Sequence, residues 1–434
     1  MSKVYFLLAG RWGGDLYSTM TSPDKKPPNG AENAVSVLVL SSVYPRYGDD
    51  TEVPWLRGSL RRLRDAGCKI AVVAPAYKGC RSHTIDGIRV HRFRYAPKGL
   101  EILTHDEGAP AKIAKNPLLQ LLGVPYIISG SIKTLLVSYK MKAQVLHAHW
   151  PFPHGFAAFF AAFFRRAPVV LSCHGAELLL AQRKKWIRPL LKMFFRRAAA
   201  VIANSSFTVG KIKEVCDREV LTLTMPTGTE RPTGITGDAV SRRQARTGGD
   251  GRFRVLFVGR HIERKGIEYL ITAAAALDPG KFQVRIAGHG NLTGRLKEQA
   301  ATEAPRQVEF LGKVPAEDLI KEYERADCFV LPAIIDSRGD TEGLGAVLIE
   351  AAEYGIPLIA SEVGGIVDVV IHNQTGLLVK EKSPQDLANA IQLLYNDSGL
   401  SQTLTKNCIE HVRRVFSWER TTVDQIKLYK ELIK

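Results

Sequence analysis

The chain has 434 residues, 45 % of them hydrophobic and 24 % charged, and its 60 Lys+Arg against 43 Asp+Glu give a formal net charge of +17. That length accommodates two or three domains with ample core, and the composition excludes a disordered, collagen-like or disulfide-framework protein. Residues 1–250 hold 37 basic and 18 acidic side chains, whereas residues 251–434 hold 23 and 25, so the positive surplus belongs to the first half and two domains with different partners are expected.

Residues 1–34 are rich in breakers at Ser22–Asn29 (SPDKKPPN) and read as an irregular N-terminal extension. Their first apolar stretch is too short for a secretory segment. From residue 35 short apolar runs alternate with helical patterns. Val35–Leu40, Lys69–Val73, Ile88–Phe93, Val145–Ala148, Val169–Ser172 and Val201–Ala203 are predicted strands, with helices at Trp55–Ala66 and Phe156–Phe164. Such alternation makes βαβ units and a parallel sheet. Leu118–Tyr139 is the most apolar stretch, but Gln120, Pro125 and Lys133 interrupt it, so it reads as a buried or interfacial helix pair rather than a membrane span.

Residues 231–251, with their glycines, Pro232 and clustered arginines, read as a linker. The α/β rhythm restarts with strands at Phe253–Val258, Gln283–Ala287, Val308–Leu311, Cys328–Leu331 and Pro357–Ala360 and a helix at Gly266–Leu277. The expected fold class is α/β. It has a Rossmann-like domain at 35–230 and a second at 252–415, with residues 416–434 after it. Two doubly wound sheets in series place a ligand cleft between domains. The six cysteines are far apart, with no metal-like spacing, and fit buried thiols in a reducing, cytoplasmic setting.

The surplus of positive charge concentrates in two runs, Arg57–Arg64 and Arg165–Arg197. In the second, RKKWIRPLLKMFFRR interleaves Trp186, Ile187, Leu190, Phe194 and Phe195 with basic residues. That composition suits a basic amphipathic helix on an anionic membrane, or a helix whose apolar face is in the core and whose basic face is solvated. No nucleic-acid motif accompanies it, and nucleic acid is not an expected partner.

Two constellations carry chemistry. In FVGRHIERKG a strand ends at Gly259, Arg260 and Lys265 follow, and a helix begins near Gly266. An Arg fork, an ammonium and a helix N-terminus aimed at one point suit a diphosphate. The alternative is a tight turn with a surface ion pair. In GDTEGLGAVLIEAAEYGIP, Glu342 and Glu350 are eight residues apart, with glycines at 343 and 345. With a helix starting near Gly343, Glu342 would sit at its mouth and Glu350 two turns down. Carboxylates accept from sugar hydroxyls. The alternative is two surface carboxylates on an amphipathic helix.

Together, G-R-x4-K-G and E-G-x-G-x4-E-A resemble the retaining glycosyltransferases of family 4, which have the GT-B fold. AGHGN (Ala287–Asn291), FLGKV (Phe310–Val314), VGGIVDVV (Val363–Val370), MPTGTE (Met225–Glu230), HAHWPFPHG (His147–Gly155), LSCHGAEL (Leu171–Leu178) and FSWERTTVDQIKLY (Phe416–Tyr429) extend the resemblance along most of the chain. The resemblance implies that residues 416–434 form a closing helix that packs back onto the first domain, and that Arg260 and Lys265 bind the donor diphosphate, Glu342 the transferring sugar and Glu350 the ribose. Gly259, Gly343, Leu344, Gly345, Gly288, His289 and Val314 would line the donor site. His174 would face the sugar across the cleft, and His149 and Gly48 would serve the acceptor side. One departure is that SSVYPRYGDDTEVP offers only Gly48 where the family commonly has a Gly-Gly loop.

The expected activity is retaining, metal-independent transfer from a nucleotide-diphosphate sugar, used as substrate with no bound cofactor. The expected acceptor is a glycan or lipid-linked acceptor hydroxyl at the inner face of the cell membrane. The alternatives are a non-catalytic sugar-nucleotide-binding or membrane scaffold protein and a GT-B-type epimerase. The full set of Arg260, Lys265, Glu342 and Glu350 argues against a scaffold.

Overall fold

Ser36–Leu40 (β1) is an unbroken apolar run, buried on both faces, as a central strand of a parallel sheet covered by helices must be. In the computed structural model, which describes residues 34–50, 52–106, 108–216, 222–224 and 251–434, β1 lies in an eight-stranded sheet. The other strands are Lys69–Pro75 (β2), His83–Ile85 (β3), Ile88–Phe93 (β4), Val145–His149 (β5), Val169–Cys173 (β6), Ala200–Ala203 (β7) and Thr222–Thr224 (β8). Their order is β3-β4-β2-β1-β5-β6-β7-β8, parallel except for β3, which forms a hairpin with β4 that the sequence pattern did not announce. The order reverses at β1, so the chain ends after β1 and β5 emerge side by side at a switch point, where open α/β sheets bind ligands.

The helices of this part are Pro54–Asp65 (α1), Ala109–Lys115 (α2), Gly123–Lys140 (α3), Pro151–Arg165 (α4), Ala176–Arg183 (α5), Ile187–Arg197 (α6) and Ser206–Val215 (α7). A 3-10 turn, Pro117–Leu122, leads into α3. The basic run 165–197 spans the end of α4, β6, α5 and α6, and RKKWIRPLLKMFFRR within it divides between the end of α5 at Arg183, the turn Lys184–Trp186 and α6. Ile187, Leu191, Phe194 and Phe195 of α6 are buried in the protein, so its apolar face is already used and only the basic face is solvated. Trp186, in the turn before it, remains exposed.

The second sheet is wholly parallel: Phe253–Val258 (β9), Phe282–Ala287 (β10), Val308–Gly312 (β11), Cys328–Leu331 (β12), Leu358–Ser361 (β13) and Leu377–Val379 (β14), in the order β11-β10-β9-β12-β13-β14. Its helices are Ile267–Ala275 (α8), Thr293–Glu303 (α9), Ala316–Arg325 (α10), Ala346–Glu353 (α11), Pro384–Asn396 (α12), Ser398–Val415 (α13) and Trp418–Leu432 (α14). Here β9 is the switch strand, paired with β10 on one side and β12 on the other.

The chain divides into two units, each with its own Rossmann-like sheet. Residues Thr422–Lys434 group with the first unit, and Leu428 and Tyr429 of α14 sit in its core beside Val37, Val39 and Val145. The extension before residue 34, the linker at 231–250 and the segment MPTGTE lie outside the described residues.

Candidate functional site

In the second unit, three glycine-bearing turns crowd the C-terminal end of β9. A Cβ on Gly288 would fall 1.8 Å from the Gly259 carbonyl oxygen, and one on Gly290 2.3 Å from that of His261. Gly288 also takes φ +127°, where side chains are strained. Gly259 N–H donates to Ala287, and Gly288 N–H to Gly312, tying the ends of β9, β10 and β11 into one platform. After it the chain runs through Arg260 and a 3-10 turn, Glu263–Lys265, into α8.

Lys265 is buried, and its ammonium donates to Glu342 Oε2 at 2.5 Å. Burial alone would raise the Glu342 carboxyl, but Lys265, Arg264 and Arg260 hold it below its ordinary value, so it is ionised near neutral pH. The neighbouring Arg264 donates to the Thr341 carbonyl at 3.0 Å and fixes the loop that carries Glu342. Gly364 and Gly365 brace the same loop from behind: added Cβ atoms would lie 2.0 Å from the Glu342 oxygen and 2.1 Å from the Gly343 oxygen.

Helix α11 starts at Ala346, not near Gly343, because Gly345 takes φ +80° as its N-cap. Glu342 therefore precedes the helix by a loop of three residues, and only the span from Ala346 to Glu350 has helical rise. Glu350 accepts from the Tyr323 hydroxyl at 3.0 Å, and burial pushes its carboxyl up despite that bond. Tyr323, on α10, is itself buried and stacked on Tyr354 with centroids 4.8 Å apart.

In the first unit, β5 and β6 bring four aromatic residues into one stack with Trp55. The His149 and His174 rings are nearly parallel, 5.3 Å apart, with His149 Nδ1 and His174 Nε2 at 3.1 Å. His174 packs between Trp55 and Trp150 at 4.7 and 4.8 Å, and its backbone N–H donates to Glu177 Oε1 at 2.7 Å. Behind His149 lies His147, which bonds Tyr429 at 2.6 Å and Ser172 at 2.7 Å. Gln425 donates to the Tyr429 hydroxyl, so Tyr429 donates to Nδ1 and the His147 proton sits on Nε2. Burial lowers all four imidazoles: His147 and His174 to about 3, His154 to about 4 and His149 well below its ordinary value, so they are neutral at physiological pH. His149 Nε2 is buried with no hydrogen-bond partner.

Two family models match this chain, "Glycosyl transferases group 1" over residues 241–411 and "Glycosyltransferase Family 4" over residues 57–222. The chain belongs to glycosyltransferase family 4. An uncharacterized glycosyltransferase of Methanocaldococcus jannaschii is 25 % identical over 73 % of this chain and 83 % of its own length. The D-rhamnosyltransferase WbpZ of Pseudomonas aeruginosa is 28 % identical over 64 % of this chain and 70 % of its own. The crystal structure of HepE of Anabaena in complex with UDP superposes with a TM-score of 0.67 at 18 % identity, covering 92 % of this chain and 100 % of that one. A sucrose-phosphate synthase of Thermosynechococcus elongatus gives 0.69 at 22 % identity over 92 % and 99 %. These likenesses establish the GT-B fold, two Rossmann-like domains.

The glycosyltransferase brings Gly259, Arg260, Lys265, Gly288, Glu342, Gly343, Gly345 and Glu350 onto one unit, around the ends of β9, β10 and α11. Leu344 is buried in the core beneath them. His289 is exposed in the turn after β10, its carbonyl accepting from His261, and Val314 follows β11. In the first unit Gly48 is exposed in the loop after β1, with nothing within 4 Å of an added Cβ and no positive φ, so glycine is not required there. Asp50, in the same loop, is buried and paired with Arg46 at 2.7 Å. Among the described residues no group of His, Cys, Asp and Glu is arranged to hold a metal ion.

Two residues escaped the sequence reading. Tyr323 is distant in the chain from Glu350 and belongs to no motif. His261 is fully buried between Arg260 and the α8 turn, with Nδ1 on Thr293 at 2.9 Å and Nε2 unpartnered. Its place inside FVGRHIERKG was the available signal.

Proposed function

We propose that this glycosyltransferase retains anomeric configuration and moves a sugar from a nucleotide-diphosphate sugar to the hydroxyl of a glycan or lipid-linked acceptor. The observation that carries this reading is the buried Lys265–Glu342 pair beside Arg260, at the end of the switch strand β9. The Arg260 guanidinium and the Lys265 ammonium bind the diphosphate and neutralise it as it leaves. Glu342 accepts from hydroxyls of the transferring sugar and Glu350 from the ribose. That the structures of HepE were obtained with UDP and UDP-glucose supports a uridine or similar diphosphate donor here.

The favoured chemistry is front-face displacement. The bond from the anomeric carbon to the phosphate oxygen breaks, the acceptor oxygen bonds to the same face, and the departing phosphate takes the acceptor proton. Positioning and fixed charge then supply most of the catalysis, in keeping with a site built from paired side chains and braced backbone. The neutral imidazole of His174 serves the transferring sugar and that of His149 the acceptor, each accepting from or donating to a hydroxyl. The cations at 260 and 265 do the work a divalent ion would do, so a chelator should leave turnover unchanged.

The test begins with a panel of nucleotide-sugars assayed for thermal stabilisation, followed by turnover of the best one. Arg260→Ala and Lys265→Ala should each lower turnover by orders of magnitude in protein that remains folded by circular dichroism. Near-normal transfer by either variant refutes the assignment of the diphosphate site. Sugar released in altered configuration without acceptor would favour an epimerase.

A further inference from the structure

Helix α3 and the 3-10 turn before it form a continuous helical stretch, Pro117–Lys140, apolar on two opposite faces. One face is accounted for: Tyr126, Gly130, Thr134 and Val137 are buried against β2, β4 and α4. The other is not. Leu118 and Leu121 are 72 % exposed, and Val124, Ile128, Ile132, Leu136 and Tyr139 are each more than half exposed. Their spacing of three or four residues places all seven on one stripe, about 30 Å long at the helical rise.

The stripe continues onto α4. The Tyr139 hydroxyl donates to the Phe164 carbonyl at 3.3 Å, and Phe164 contacts Phe160 and Phe163 at centroid distances of 5.3 and 5.2 Å. All three phenylalanines are exposed, Phe163 by 80 %. An apolar surface this long and contiguous on a polar-rimmed domain needs a partner.

Charge identifies the partner. From Gly108 to Ala176 the sequence has seven Lys and Arg and no Asp or Glu. The supporting strands β2 and β4 add exposed Lys69 and Arg89, again without a carboxylate. Arg165 lies over the Tyr139 ring at 4.9 Å, and Lys140, Lys142 and Arg166 surround that end of the stripe. A second copy of the chain would bring two basic rims together, whereas an anionic bilayer offers hydrocarbon to the stripe and phosphate to the rim. Long basic side chains reach headgroups while their stems stay in the apolar layer. The inner face of the helix is held in the domain, with the Tyr126 hydroxyl and His154 Nε2 at 3.1 Å, which suits a helix lying on a bilayer and not one spanning it.

We propose that the outer face of α3, from Leu118 to Tyr139, with Phe160, Phe163 and Phe164 of α4, inserts into the headgroup layer of an anionic phospholipid bilayer. The inference rests on the reading of a membrane-face acceptor and names the surface that meets the membrane. It moves that surface away from α6, whose apolar residues are in the core.

The experiment is flotation of the full chain with phosphatidylcholine vesicles, with and without phosphatidylglycerol, at low and high salt. Wild type should float with the anionic vesicles and lose binding as salt rises. The variant Leu121→Glu/Ile128→Glu/Leu136→Glu changes only exposed positions and should lower flotation by about tenfold or more while keeping its melting temperature. In Ile128→Trp, the added indole should blue-shift on vesicles and be quenched by brominated lipid. Wild-type binding to no vesicle, equal binding to neutral vesicles, or undiminished flotation of the triple variant overturns the proposal. So does a wild-type dimer that the triple variant renders monomeric without any flotation. Nucleotide-sugar stabilisation in lipid-free solution reads the transferase assignment separately, since it involves no residue of the stripe.

Discussion

Removing Lys265 leaves the Glu342 carboxylate buried without its nearest cation, a change that costs about 3–5 kcal/mol in comparable pairs. Both side chains are largely shielded, 9 % and 13 % exposed, so solvent does little to soften that loss. Urea unfolding should therefore show Lys265→Ala less stable than wild type, and the double variant Lys265→Met/Glu342→Gln less affected than the two single losses summed. Acid acts on two sets of groups in the same direction. The depressed histidines are neutral in the folded chain but protonated in the unfolded one below about 6.5. Their stability contribution is full above that pH and is lost as pH falls toward about 3 to 4. Glu342, held below 4.5, adds a second loss only as pH drops beneath that value. Each histidine that stays neutral gives a slope approaching about 1.4 kcal/mol per pH unit. Thermal melts should thus fall between pH 6.5 and 5, and His154→Gln should flatten that fall; an unchanged slope would remove His154 from the account. The residues of G-R-x4-K-G and E-G-x-G-x4-E-A were legible because the chemistry and its spacing lie within one short stretch. Tyr323 was not, since nothing local ties an α10 tyrosine to an α11 glutamate 27 residues away.

Among the elements, glycines sort into those the backbone demands and those it tolerates. Gly288→Ala meets the Gly259 carbonyl and an unfavourable φ, and Gly364→Ala meets the Glu342 carbonyl at φ +57°. Each should destabilise by several kcal/mol or disorder the turn, whereas Gly48→Ala should stay within about 0.5 kcal/mol. Guanidinium denaturation of the three variants checks the contrast. The strands were legible from runs of Val, Ile and Leu, and β9, β10 and β12 begin or end within a residue of expectation. Short β3 and β14 carry too few residues to show a period. The start of α11 was misplaced because a glycine permits both a helix and the left-handed cap that Gly345 adopts. The segment RKKWIRPLLKMFFRR reads as one amphipathic helix, yet Arg183 ends α5 and α6 starts only at Ile187. For α3 the difficulty is general. A helix apolar on two faces has the same sequence signature whether both faces meet protein or one meets something else.

At the scale of the whole chain, two sheets in series followed from the alternation of runs, and the charge division follows the first half, not any single helix. The return of α14 is the least local feature. Tyr429 fills the core of the first unit and joins Gln425 to His147, a residue 282 positions earlier. Tyr429→Phe keeps the volume but removes the hydroxyl, leaving His147 Nδ1 and the Gln425 amide without it. It should cost about 1–3 kcal/mol and lower the urea midpoint. An unchanged midpoint would mean that neither group depends on the bond.

The same helix gives the molecule a timetable. The first unit is translated early, but its core is completed only by residues near the end of the chain. At about 5–20 residues per second the ribosome needs on the order of 10–40 seconds to make the intervening polypeptide. Throughout that interval the seat of Leu428 and Tyr429 stands open beside β1 and β5 on the nascent chain. A message cut short before codon 428 therefore yields a finished second sheet and a first sheet still waiting for its last piece.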